Sequence, residues 1–299
     1  SLMSQMYLNL FRFVDSEQEG SYTLHMVQRK SSEKNRDLWR GRLSKGLDET
    51  ALQFISGMEE DKRLVEIDIT VNQVHVLMLK KQGIIREGVA AKIVDSLERA
   101  RADHRDGALL PTYPQFVDVH PIIEQYVIDD LGVDIGGKIH IAKSRNDQVM
   151  TDVRVYLRDE CLKIMEGLLT LITTMVTLAR KHCQTIMPGY THTQHAQVTS
   201  FAHYLLSHAD VLLKDYQRIQ GYYSRLDLCP LGACAFAGTS VPIDRRYTAQ
   251  LLGFSGVVEN SIEAISSRDV VQEAACALAL LMNNLSRVAS DIILWSTFE

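Results

Sequence analysis

The feature that most constrains this chain is the pattern after residue 144. From Asp147 to Arg180 the residues Val149, Val153, Leu157, Ile164, Leu168, Leu171, Met175 and Leu178 fall on one face at helical spacing. Phe201 to Leu226 repeats the pattern with Phe201, Leu205, Leu212, Ile219, Tyr223 and Leu226, and Arg268 to Trp295 with Val271, Ala274, Leu278, Leu281, Leu285, Val288, Ile292 and Trp295. No strand alternation interrupts this region. Helices of such length with wide apolar faces must bury them against other helices. The pattern therefore predicts a mainly α fold, an elongated bundle of long helices, and an oligomer.

Before residue 144 the helices are shorter. Thr50 to Lys81 and Gly88 to Ala102 carry helical periodicity, and Pro111, Pro114, Pro121, Gly132 and Gly136-Gly137 punctuate the stretch up to residue 143. A smaller helical N-terminal domain over residues 39–143 is expected, then the long-helix domain over 144–299, incomplete at its C-terminal end. Residues 1–38 form an N-terminal extension. Tyr7 to Val14 and Tyr22 to Val27 are rich in strand formers, so the extension holds either a small hairpin or no fixed structure.

Composition excludes several classes. Hydrophobic residues make up 46% and charged residues 23% of the 299, which is too apolar for a disordered chain. The formal net charge of −5 offers no attraction to nucleic acid or an anionic membrane surface. The longest strictly apolar run, Ala274 to Met282, is far short of the roughly 20 residues of a transmembrane helix. Five cysteines without a C-x-x-C read as reduced thiols, and no secretory signal precedes the first polar stretch, so a cytoplasmic location is expected.

Three short segments carry polar chemistry, each with an ordinary alternative. Ser144 and Asp147 have capping-box spacing at the start of the first long helix. That start, with Arg145 and Asn146 in its first turn, is either a capped helix terminus or a carboxylate site, because free N–H groups and a guanidinium fork both favour an anion. His192, beside Thr191 and Thr193 in the turn after Pro188-Gly189, is either a turn histidine or a general acid or base. His192 and His195 lack a third ligand nearby, so no metal is expected there. The small-residue stretch Pro230 to Thr239 before Asp244-Arg245 is either a packing turn or a close-approach loop. Neither a G-x-G-x-x-G nor a P-loop occurs.

Taken in order, these segments resemble the argininosuccinate lyases of the fumarase and aspartase superfamily. The resemblance runs from Trp39 to Trp295. It is sharpest at Ser144-Arg145-Asn146-Asp147-Gln148-Val149 and Pro188-Gly189-Tyr190-Thr191-His192. Trp39-Arg40-Gly41-Arg42, Asp118-Val119-His120, Pro230-Leu231-Gly232, Ala237-Gly238, Asp244-Arg245 and Ser267-Arg268-Asp269 support it. It implies a homotetramer whose active sites draw on three subunits, and cofactor-free cleavage of argininosuccinate to arginine and fumarate. Carried over, Ser144, Arg145 and Asn146 hold the substrate. Thr191 and His192 face the succinyl carboxylate, with His192 handling protons. Asp61 contacts the arginine end, Asp118 and His120 line the site, and Arg245 adds a polar contact.

The departures are specific. The family's Gly-Ser-Ser-x-Met-Pro-x-Lys-x-Asn loop, which supplies the proton-abstracting serine, does not occur in these 299 residues, so they are not expected to complete the reaction unaided. The family's Thr-Gly-Arg before the Ser-Arg-Asn-Asp motif is Ile141-Ala142-Lys143, and its Leu-Gln-Arg-Ala-Gln-Pro is Thr193 to Val198. A lyase for another N-succinyl amino compound, or a non-catalytic protein on the same fold, are the alternatives.

Overall fold

The computed structural model describes residues 48–297. The expected hairpin within residues 3–38 and the Trp39–Arg42 motif lie outside the described residues. Four short pieces build the near end: α1 (Glu49–Ile55), α2 (Met58–Asp61), a 3-10 turn (Lys62–Leu64) and α5 (Leu109–Thr112). Three longer helices cross there: α3 (Val65–Lys81), α4 (Glu87–Arg105) and α6 (Val119–Leu131). α7 (Val133–Gly136) and a second 3-10 turn (Gly137–His140) lead to the long helices. Ile69, Val76 and Leu79 of α3 pack with Ile93 and Leu97 of α4 and Ile122, Ile123 and Val127 of α6 in one apolar cluster. Hydrophobic burial of this kind, about 25 cal/mol per Å² of apolar surface, drives the association of the three helices.

The long helices follow the periodicity closely: α8 (Arg145–Lys181, 37 residues), α9 (Phe201–Leu226, 26 residues) and α12 (Asp269–Trp295, 27 residues). Their buried contacts recur every seven residues: Cys161, Leu168 and Met175 on α8, and Leu212, Ile219 and Leu226 on α9. Ala274 and Leu281 on α12 continue the rule. That spacing is the knobs-into-holes seam of coiled coils. Arg225, at the end of α9, pairs with Glu273 at the start of α12, and Tyr204, at the start of α9, donates to Asp291 2.8 Å away near the end of α12. α12 therefore runs antiparallel to α9. Arg154 of α8 closes the last turn of α9 by donating to the carbonyls of Arg225 and Leu226 at 3.2 and 3.0 Å.

Strands correct one expectation for this region. β1 (Ile186–Thr191) and β2 (Gln194–Ser200) form an antiparallel hairpin between α8 and α9, with a register shift between Pro188 and Tyr190. Gly189 permits the shift, since a Cβ there would lie 2.6 Å from the Gln197 carbonyl oxygen. The turn residues His192 and Thr193 both have positive φ, 51° and 62°. Their types are not the Asn-Gly that announces such a turn, which is why the alternation carried no signal. β3 (Leu228–Cys229) and β4 (Gly256–Val257) pair in parallel and hold together the segment containing α10 (Arg245–Leu251); α11 (Ser261–Ser266) comes next.

By length and hydropathy α8 and α12 could each span a bilayer, but both pack along α9 as bundle helices do. Much of their apolar surface is left uncovered: Leu162 and Leu169 on α8, and Met282, Ile293 and Leu294 on α12, are exposed, as is Leu213 on α9.

Candidate active site

The residues that carry the chemistry gather at the N-terminal end of α8. Ser144 is the N-cap: its hydroxyl accepts from the Asn146 N–H, and its own N–H donates to Asp147 Oδ1 at 2.9 Å, the reciprocal capping box expected from the spacing. Asp147 does more than cap. Its Oδ2 accepts from the N–H groups of Gly232 and Cys234, at 2.9 and 2.8 Å, so one buried carboxylate fastens the Pro230–Thr239 stretch onto the helix start. Asn146 adds a third tie, donating from Nδ2 to the Ala235 carbonyl at 2.9 Å. Burial pushes the Asp147 carboxyl upward, while the three N–H donors favour its ionised form.

Arg145 is the first residue of α8. One guanidinium nitrogen lies 3.5 Å from Glu124 Oε2, and the other, Nη1, is buried without a hydrogen-bond partner. A helix N-terminus and an unused guanidinium donor make an anion site of the kind a carboxylate fills.

Beneath it lies a polar cluster inside the protein. Asp68 of α3 accepts from Asn72 and from Gln148 of α8, and the buried Lys143 ammonium donates to Asn72. His120 of α6 is 2% exposed, with Nε2 3.4 Å from the fully buried Asp152 of α8 and Nδ1 3.8 Å from Asp118. Burial lowers the pKa of His120, and burial together with the Asp68 charge raises that of Asp152 well above the usual carboxylate range. Asp118 is the N-cap of α6, accepting from the His120 N–H. Asp61 lies close enough for burial, the Asp118 charge and Glu60 to raise its own pKa.

Ser144, Arg145, Asn146, Asp118, His120 and Asp61 thus collect at one end of the fold. Arg245 is nearby but occupied: it donates to the carbonyls of Leu231 and Val258 at 3.2 and 2.7 Å, supporting the loop that Asp147 grips. Thr191 and His192 are elsewhere. They are exposed at the tip of the β1–β2 hairpin, which lies beyond the far end of α8 in the chain. The 37 residues of α8 span about 55 Å at 1.5 Å per residue. A strand of six residues recovers about 20 Å of that. One chain cannot bring His192 to Arg145.

Lys143, Asp68, Asn72, Gln148 and Asp152 escape a reading of the sequence by motif. Their signal is present all the same: Asp68, Asn72 and His75, and likewise Gln148 and Asp152, put polar side chains at i, i+4 and i+7 positions that face a core.

Ala142 and Cys234, at φ 55° and 56°, are left-handed without being glycine, and the Cys234 thiol donates to the Ala142 carbonyl at 3.3 Å. Ala142 occupies the glycine of the family's Thr-Gly-Arg. Ala142→Gly is expected to stabilise the protein by about 1 kcal/mol, because the left-handed penalty on Cβ exceeds the extra freedom glycine gains when unfolded. A urea midpoint that falls in the variant would refute this.

The profile of the lyase family matches residues 41–299. Argininosuccinate lyase of Methanosarcina mazei is 44% identical over 262 residues, covering 88% of this chain and 52% of that protein. The enzyme of Nitrosopumilus maritimus is 45% identical over 262 residues, with 88% and 53% covered. The chain therefore spans about half the length of the curated relatives it matches. Among solved structures, EDDS lyase in complex with formate aligns at a TM-score of 0.73 and 35% identity, over 85% of this chain and 50% of that one. An EDDS lyase variant with bound fumarate aligns at 0.73 and 34%, over 88% and 52%.

Proposed function

From a chain that belongs to the lyase family, we propose a subunit that cleaves argininosuccinate to arginine and fumarate by β-elimination. The observation that carries this reading is the capped N-terminus of α8, with the free Nη1 of Arg145 beside Ser144 and Asn146. Removing a Cβ proton from the succinyl group builds negative charge on the adjacent carboxylate. Fixed donors aimed at that charge stabilise the transition state more than the ground state. Asp61 and Asp118 supply negative charge for the cationic arginine portion, and His192 with Thr191 serves the proton-handling end. No cofactor is required by this chemistry.

The separation of His192 from Arg145 supports a homo-oligomer, a tetramer in which the hairpin of one subunit completes the site of another. The uncovered apolar stripes of α8, α9 and α12 are the surfaces available for that assembly. The serine-bearing loop of the family is not among these residues, so they are not expected to turn over substrate unaided; a cytoplasmic setting suits the reaction. EDDS lyases among the similar structures favour a second reading, a lyase for another N-succinyl amino compound.

The test is release of fumarate, followed by its ultraviolet absorbance, from argininosuccinate and from N-succinyl diamines. Faster turnover of argininosuccinate supports the first reading, and faster turnover of a diamine the second. His192→Asn is expected to lower turnover by about 10²-fold or more with little change in KM. Arg145→Lys is expected to weaken fumarate binding, since an ammonium lacks the guanidinium fork. Refolding the two variants together should restore part of the activity, because some sites then combine an intact Arg145 with an intact His192. No recovery would refute assembly of the site across subunits.

A further inference from the structure

We propose that Glu124 is a positioning residue: its carboxylate holds the Arg145 guanidinium over the N-terminus of α8, so that Nη1 stays directed at an incoming carboxylate. The inference rests on the reading of that terminus as a carboxylate site. Arg145 needs such a partner. It is the first residue of α8, where the positive end of the helix dipole disfavours a cation. The buried ammonium of Lys143, two residues earlier, repels it further. Asp147, the acidic residue of the first turn, is occupied by the N–H groups of Ser144, Gly232 and Cys234. Under these forces alone the guanidinium turns outward to water, where a long side chain also regains rotamer freedom.

Glu124 opposes this from another helix. It stands on α6 four residues after His120, on the same face. Its Oε2 lies 3.5 Å from Arg145 Nη2 and 3.1 Å from Nδ1 of His140, the last residue of the second 3-10 turn. Burial raises the Glu124 pKa, but His140, Arg145 and Lys143 outweigh it and hold the carboxyl below its usual range, hence ionised. Both side chains of the pair are about three-quarters covered, at 26% and 23% exposure, so water screens their attraction less than on an open surface. A guanidinium is planar and rigid. Holding Nη2 fixes the plane and leaves Nη1 buried with no hydrogen-bond partner. A carboxylate arriving beside Ser144 and Asn146 then meets a donor whose ordering cost is already met. In the elimination the same fixed donor faces the charge that develops on the carboxylate. If Glu124 were instead a resident counter-ion that the ligand must displace, its removal would tighten binding.

Fumarate titrated calorimetrically into the full chain separates the two signs. Glu124→Gln, which keeps the size and removes the charge, is expected to bind about tenfold or more weakly, with little change in melting temperature. Glu87→Gln on α4, which removes an equal charge from an exposed pair with Lys80, should bind like the parent. In an Arg145→Lys background Glu124→Gln should have no further effect, because Glu124 acts through the guanidinium. Equal or tighter binding by Glu124→Gln, or an undiminished loss in the Arg145→Lys background, would overturn the proposal. A second readout needs no ligand. Phenylglyoxal should modify Arg145 several-fold faster in Glu124→Gln than in the parent, followed by mass spectrometry of the peptide. Equal rates would overturn the proposal even if the parent binds no fumarate. Faster modification in a protein that binds no fumarate would uphold the hold of Glu124 on Arg145 and count against the proposed function instead.

Discussion

Asp147→Ala is expected to destabilise the fold by about 3–5 kcal/mol, a large part of the roughly 5–15 kcal/mol that holds an ordinary domain. The carboxylate is fully buried and is the acceptor for three backbone N–H groups, those of Ser144, Gly232 and Cys234. Each buried donor left unpaired costs about 1–3 kcal/mol. Relief of the desolvated charge and entry of water into the vacated space offset part of that sum. Asp147→Asn should fall between, because an amide keeps one acceptor oxygen but turns donors toward donors. Urea unfolding of the three proteins decides the matter. A loss under about 1 kcal/mol in Asp147→Ala would mean that the loop carrying Gly232 and Cys234 is held by Arg245 and Asn146 alone. Because the same bonds set the position of Asn146 and the first turn of α8, fumarate affinity should fall with stability rather than independently of it.

The second large effect is a dependence of stability on pH that originates at His75. This side chain is 1% exposed, and its Nε2–H donates to the Ile141 carbonyl at 2.8 Å. Burial, with the Lys143 charge nearby, lowers its pKa to about 3. Between about pH 3 and the ordinary histidine value near 6.5 the unfolded chain binds a proton at His75 that the folded chain does not. Stability contributed by this residue is therefore fully present above about pH 6.5 and is lost as pH falls below it. At about pH 4.5 the loss reaches about 2–3 kcal/mol. His75→Gln keeps a donor for Ile141 and removes the titration. The difference in unfolding free energy between parent and variant should then shift by that amount in favour of the variant from about pH 7 to about pH 4.5, with other titrating groups cancelling. Parallel curves for the two proteins would show that His75 is protonated in the fold.

Much of the architecture was legible because helices are local. The boundaries of α8, α9 and α12 fall within two residues of those the apolar periodicity predicts, and Ser144 and Asp147 announced the start of α8 through a spacing of three. The hairpin between α8 and α9 was not legible. Its strands are short, largely exposed and broken by an irregularity between Pro188 and Tyr190, so their residues show no sustained apolar–polar alternation. The polar cluster under Arg145 was only faintly marked, as polar residues at core spacing on α3 and α8.

What the sequence by itself determined is the set of long helices, the cap of the first of them and the motif that assigns the family, since each depends on residues a few positions apart. The tertiary structure decided the rest. Asp68 meets Gln148 across 80 positions, and Asp147 meets Gly232 across 85. Those contacts exist only after α3, α6 and α8 have packed. His192 is set apart from Arg145 by the length of the helix between them. Local spacing fixes which face of a helix is apolar. Which buried charges that face must then accommodate is settled only by the element it packs against.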